Sequence, residues 1–207
     1  MESWKLGNDV LEFDEETHTY WVNGEKCPSV TQILKFKFPR KYEGIDEAVL
    51  KQAAERGTYV HECIEMYEQY GIDSSEVQEF RDYLFLKDKF KFEVIGNELP
   101  IIIRYKNLTI CGRMDLTLKE GEQQGLGDIK STATFDKEYL AYQLNLYRMG
   151  AYQTYGLVAE FLRGLHLRKG TRKYAPIPIN EKAVTDLLDD YIISTCGVGT
   201  GGYAVPQ

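Results

Sequence analysis

The sequence predicts an α/β fold in which a mixed central β-sheet is flanked by helices. Strand-like stretches at 93–105, 108–118 and 125–131 follow one another closely, the last two joined by the polar turn Glu120-Gly121-Glu122-Gln123-Gln124-Gly125. Long stretches that lack alternation and are rich in helix formers stand on both sides of that group. Two more strand patterns, near 162–168 and 173–179, come after the second of them.

The elements can be justified in order. Residues 10–24 suggest a hairpin turning at Asn23-Gly24, a dipeptide that accepts positive φ. Ser29 or Thr31 is placed to cap a short helix through Lys37. Asp46 to Tyr70 reads as a helix, and Gly71 stops it. A second helical stretch runs from Asp73 to about Phe92, after Ser74-Ser75. The three strands follow, with the apolar run Leu99 to Ile103 in the first. A helix covers Tyr139 to about Val158. The last two strands form a hairpin with its turn at Lys169-Gly170. Asn180 caps a final helix over 181–193, and residues 196–207 read as a glycine-rich loose tail. The 207 residues favour a single domain, 1–207, with a substantial core, and no repeat is visible.

Composition narrows the function classes. Hydrophobic content of 43% and charged content of 28% are those of an ordinary globular protein. No apolar run reaches the roughly 20 residues of a membrane span. The N-terminus lacks a basic segment followed by an apolar one, so a cytoplasmic protein is expected. Cys27, Cys63, Cys111 and Cys196 are scattered, without a C-x-x-C pair, and read as thiols of a reducing compartment. The net charge of −7 argues against broad, sequence-independent DNA affinity, which rests on phosphate neutralisation. Two basic stretches stand out: Lys35, Lys37, Arg40 and Lys41, interleaved with Phe36 and Phe38, and the Arg163 to Lys173 hairpin. Each reads either as a DNA-backbone contact or as a solvated face.

The motif that carries chemistry is Asp128-Ile129-Lys130. Residues i and i+2 of a strand share a face, so Asp128 and Lys130 point into one site while Ile129 enters the core behind it. Cys111-Gly112-Arg113-Met114-Asp115 lies upstream and adds a second carboxylate. Magnesium and manganese favour carboxylate, carbonyl and water ligands, which Asp115, Asp128 and the Ile129 carbonyl can supply. Lys130 is then placed to orient or deprotonate an attacking water, or to stabilise charge on a phosphoryl group. Further upstream, Arg56-Gly57-Thr58-Tyr59-Val60-His61 puts His61 on the long helix as a third protein ligand, with Glu65 four residues on and on the same face. Downstream, Gln143 and Tyr147 share a face of the later helix and offer an amide and a phenol to a nucleic-acid backbone or to the site's own carboxylates. Glu65 and Glu98 stand as candidates for the layer around the ligands. Glu98, at the head of the strand before Asp115, reads either as a second-metal ligand or as an edge carboxylate. The bland alternative for Asp128 and Lys130 is a same-face ion pair on an exposed sheet, and for Gln143 and Tyr147 it is helix packing.

These four elements, in this order, resemble the PD-(D/E)XK nuclease superfamily in its RecB-like and phage-exonuclease branch, with its R-G-x-x-x-H helix, G-x-x-D strand, D-x-K strand and Q-x-x-x-Y helix. The opening segments His18 to Gly24 and Pro28 to Leu34 also look like that branch, so the likeness covers roughly residues 17 to 155. Gly127 departs from it, where an apolar residue is more usual. The resemblance implies a restriction-endonuclease-like core. It implies His61, Asp115, Asp128 and Ile129 around Mg2+ or Mn2+, Lys130 as the catalytic lysine, and Gln143 and Tyr147 at the DNA. Some relatives carry an iron–sulfur cluster, but only Cys196 lies near the C-terminus here, so none is expected. The expected activity is that of a metal-dependent deoxyribonuclease acting on linear DNA ends, an exonuclease of phage or prophage recombination or repair. A single-strand annealing or recombination protein is a conceivable partner, and so is a second copy of the chain. The alternatives are a structure-specific endonuclease and a non-catalytic DNA-binding or assembly module of the same fold. The chain has no P-loop motif, so no helicase motor is expected in it.

Overall fold

A computed structural model describes residues 1–168 and 170–196. It shows a mixed α/β core flanked by helices, as expected. The main sheet has the order β5(Glu93–Tyr105), β6(Leu108–Glu120), β7(Gln123–Lys130), β8(Phe161–Arg168), β9(Thr171–Ile177). All neighbours run antiparallel except β7 and β8, which are parallel. That parallel step requires a crossover, and α4(Lys137–Tyr155) provides it. A smaller antiparallel sheet precedes it, formed by β1(Glu2–Leu6), β2(Asp9–Asp14), β3(Thr19–Val22) and β4(Glu25–Cys27).

Apolar residues sort onto the two faces of the main sheet. On one face, α1(Val30–Lys37), α4 and α5(Glu181–Cys196) pack Ile33, Leu34, Leu144 and Leu188 against Ile101, Ile103, Met114 and Leu162. On the other, α2(Glu47–Tyr70) and α3(Gln78–Phe90) pack Val60, Ile64, Phe80 and Tyr83 against Leu116, Leu118, Ile129 and Leu165. The small sheet closes a third cluster, in which Leu11, Val22 and Cys27 meet Ile102 and Cys111. Strand β5 is an edge, and α4 covers it. The Thr154 hydroxyl accepts from the Ile102 N–H at 3.0 Å, and Gln153 Oε1 accepts from the Arg104 N–H at 2.7 Å. The free edge groups of Ile102 and Arg104 are thereby satisfied.

Local signals explain most element ends. Ser29 and Gln32 form a reciprocal capping box at α1, which settles the choice between Ser29 and Thr31. Asp46 accepts from the Ala48 and Val49 N–H groups at the start of α2, and Gly71 ends it at φ 70°. Asn180 Oδ1 accepts from the Ala183 N–H at α5.

Several expectations need correction. The hairpin over 10–24 is part of a four-stranded meander: β2 turns into β3 at 15–18, and Asn23-Gly24 makes the next turn, into β4. Both residues there have positive φ, 52° and 82°. The second helix starts at Gln78 rather than Asp73, because the Asp73 carboxylate accepts from the Ser75 N–H at 2.6 Å and folds 73–75 into a turn of its own. The polar turn before β7 shrinks to 121–122, since Glu120 pairs with Gln123. Helix α4 spans Lys137–Tyr155, set by the Asp136 cap and by Gly156 at φ 68°. Helix α5 runs on to Cys196. Gly170 sits in the final hairpin turn at φ 81°, while Lys169 and the expected tail beyond Cys196 lie outside the described residues.

Candidate metal centre

The site forms where the main sheet opens. The β6–β7 ladder ends at Leu116↔Gly127. The next rung would pair Asp115 with Asp128, but the strands part there. The Ile129 N–H instead donates to Asp115 Oδ2 at 2.8 Å. Strand β7 stays attached on its other side, with Asp128↔Gly164, Ile129↔Leu165 and Lys130↔His166. Two carboxylates therefore stand at the mouth of a gap between held strands. Gly127 suits this packing: a Cβ there would lie 2.7 Å from Leu118 Cδ1. Gly112 is used similarly, because a Cβ would come within 3.1 Å of the Tyr147 ring and 3.2 Å of Val30.

Helix α2 brings His61 over the gap. Its Nε2 lies 3.2 Å from the Ile129 carbonyl oxygen and 3.7 Å from Asp115 Oδ2. Its Nδ1 lies 3.1 Å from Glu98 Oε1. Glu98 comes from β5, on the other side of β6, and its second oxygen is 3.0 Å from Arg113 Nε. His61, Glu98 and Asp115 each offer a ligand atom, all within 4.8 Å of one another. The closest group is thus His61 with Glu98 and Asp115, rather than His61 with Asp115 and Asp128. Asp128 Oδ2 instead forms an ion pair with Lys130 Nζ at 2.5 Å.

Asp128 is fully buried; the Lys130 ammonium pairs with Oδ2, and among the described residues Oδ1 has no hydrogen-bond partner. Leaving such a group unsatisfied is costly. Burial first, and then the Asp115 carboxylate, push Asp128 up to about 7. Burial also raises Asp115, against the pull of His61 and Lys130. Burial opposes charge on His61, yet Asp115 and Glu98 outweigh it and raise the imidazole to about 9. Lys130 is raised too: burial opposes its charge, but Asp128 and Asp115 hold the proton on. An imidazole, three carboxylates and a carbonyl, with the partnerless Asp128 Oδ1 among them, are a donor set that fits a hard divalent cation.

Gln143 and Tyr147 do share a face, as expected, but they are buried. Gln143 Nε2 donates to the Tyr147 hydroxyl at 3.2 Å, and Gln143 Oε1 has no hydrogen-bond partner among the described residues. Burial and the nearby Asp115 and Asp128 carboxylates hold the Tyr147 phenol well above its ordinary range. The pair forms the wall behind the carboxylates. Tyr147 also lines a groove of about 420 Å³, whose other walls include His18, Ser29, Lys35, Glu98 and Arg113. A second cleft of about 460 Å³, which shares Glu98 and Arg113 with that groove, reaches His61 between Glu2, Glu62 and Glu65. Glu65 stands at that mouth, bonded to Gln69 at 2.8 Å, and does not touch His61.

Arg56, in the His61 motif, lies away from the ligands and forms an ion pair with Glu79 that ties α2 to α3. Sequence reasoning assigned no role to Arg113, although it lies two residues before Asp115 on the same strand and that spacing was the available signal. The basic stretches are partly neutralised. Lys41 pairs with Asp136 at 2.6 Å, Arg163 with Glu120 at 2.8 Å, and Arg172 with Asp82 at 3.1 Å.

No family model matches the chain. A search of curated proteins finds no match either. Among solved structures, the crystal structure of SSO0001 is similar with a TM-score of 0.46 and 17% identity, over 80% of this chain and 74% of that one.

Proposed function

We propose that this chain is a divalent-metal-dependent deoxyribonuclease that works from DNA ends. The observation that carries the reading is the parted strand pair, which gathers Asp115, Asp128, the Ile129 carbonyl and Lys130 beneath His61. The order α2, then β5–β6–β7, then α4 and β8 also supports kinship with the PD-(D/E)XK nucleases, which the motifs suggest.

In this reading His61, Asp115, Asp128 and the Ile129 carbonyl hold Mg2+ or Mn2+. Such a cation polarises a phosphoryl oxygen and lowers the pKa of an attacking water. The protein's own groups do the rest. Lys130 keeps its proton in the metal-free site because of Asp128, and it faces the space where phosphate charge develops. Ile129 and Leu116 seal the sheet behind the site against water. Gln143 and Tyr147 support the carboxylates from behind, and Tyr147 meets a strand end that enters the groove beside Lys35.

End recognition follows from charge. The glutamates at the His61 cleft repel a continuous phosphate backbone, and only a few cations flank the groove. A second copy of the chain enclosing DNA would hold substrate without strong phosphate contacts. A digestion time course on linear, nicked and covalently closed DNA tests the reading. Linear DNA should be shortened to mono- or short oligonucleotides with Mg2+ or Mn2+, closed circles should persist, and chelator should stop the reaction. Rapid cutting of closed circles would support endonuclease action, and full activity in excess chelator would remove the metal from the account.

A further inference from the structure

We propose that Glu98 is a positioning residue that fixes which nitrogen of His61 faces the metal, an inference that rests on the metal-nuclease reading above. The backbone at Glu98 is the first sign. It lies in the interior of β5, yet its φ is +47°, in the left-handed region that side-chain-bearing residues rarely adopt. Its neighbours keep the ladder with β6, Asn97↔Leu116 and Leu99↔Met114, while Glu98 itself leaves it opposite Asp115. A strained conformation inside a strand, just past the register shift at Val94–Gly96, marks a position that the surroundings enforce.

That conformation places the Glu98 carboxylate against His61 rather than in the ladder. Oε1 lies 3.1 Å from Nδ1 of His61, and Oε2 lies 3.0 Å from Nε of Arg113. Arg113 is held in turn by Glu2, at 3.3 Å. Both Glu98 oxygens are engaged, one to each partner. A carboxylate can only accept, so it keeps a proton on Nδ1. Nε2, the nitrogen that faces Asp115 and the Ile129 carbonyl, is then the one that gives up its proton and offers a lone pair when a cation binds. A carboxylate that orients a metal-ligating histidine in this way raises its basicity and fixes its ring. The competing role is direct ligation, since Glu98 also comes within 4.8 Å of the other ligand atoms.

A double-mutant cycle separates the two roles. Mn2+ binding is measured by calorimetry for wild type, Glu98→Ala, Glu98→Gln, His61→Ala and the His61→Ala/Glu98→Ala double variant, with thermal melts to confirm folding. Glu98→Ala should weaken Mn2+ on the order of 10- to 100-fold. Glu98→Gln should recover part of that loss, because its amide oxygen can still accept from Nδ1. The double variant should bind no worse than His61→Ala alone, because Glu98 acts through His61. With Mg2+ bound, nitrogen NMR of the labelled imidazole should find the proton on Nδ1. A further tenfold loss in the double variant, or a proton on Nε2, overturns the positioning role while leaving the nuclease reading intact. A wild-type protein that binds no Mn2+ overturns both.

Discussion

At the residue scale, each charged group of the centre has a separable job. Lys130→Ala should keep the fold and Mn2+ affinity but lower turnover by a factor on the order of 10² or more, as for a group that acts on charge in the transition state. Asp128→Ala should weaken Mn2+ as well, and calorimetry beside single-turnover cleavage reads both. If the Lys130 variant lost metal while the Asp128 variant kept it, the roles would be reversed. Asp128 also predicts a pH effect. Its folded pKa is raised, to about 7, above the ordinary value of 3.8, so the fold favours the protonated form. The stability it contributes is present below 3.8 and is lost as pH rises through about 7. In metal-free buffer, Asp128→Asn should therefore melt higher than wild type at pH 8, and the gap should narrow toward pH 4. A variant that melted lower at pH 8 would contradict the unfavourable burial of this carboxylate.

At the element scale, the strands of the main sheet were as legible as the helices. Asp46 and Gly71 mark α2, and Asp136 and Gly156 mark α4, because capping is local chemistry. Strands β1 and β4 are short and polar (ESWKL and EKC), and only pairing with their neighbours makes them strands. Asp128 and Lys130 were legible as one face because they lie two apart. The meeting of His61 with Glu98 was not, since 37 residues separate them and a left-handed kink brings them together. Arg56 shows how a motif residue can serve an element. Glu79 is mostly buried; burial opposes its charge, but Arg56 holds its carboxyl below the ordinary value of 4.5. Arg56→Ala should cost about 1–2 kcal/mol in urea unfolding, by leaving that carboxylate without its partner. The loss should fade below pH 4.5, where protonation removes the ion pair in any case. An unchanged unfolding midpoint at pH 7 would show that the α2–α3 tie carries no stability.

At the scale of the whole molecule, the proposed nuclease would meet DNA on terms set by charge. The chain carries a net charge of −7, and its paired arginines on β8 and β9 contribute little free positive surface. Lys35, Lys37 and Arg40 are the exposed cations of α1 and the loop after it, and Lys35 lines the Tyr147 groove. With about three phosphates neutralised, the log of DNA affinity should fall with the log of salt at a slope of about −3. A slope near −8, in filter binding or anisotropy, would point to a broad backbone interface. No helix among the described residues is long and apolar enough to cross a membrane.

The central claim is that the gap between β6 and β7 is a metal-dependent catalytic centre. Its most direct test compares wild type, Asp128→Ala and Lys130→Ala, purified identically, on end-labelled linear DNA with Mg2+. The account predicts rapid shortening by wild type and loss of at least two orders of magnitude in both variants, with all three proteins folded. Equal cleavage by all three, or none by the folded wild type with either Mg2+ or Mn2+, would contradict it.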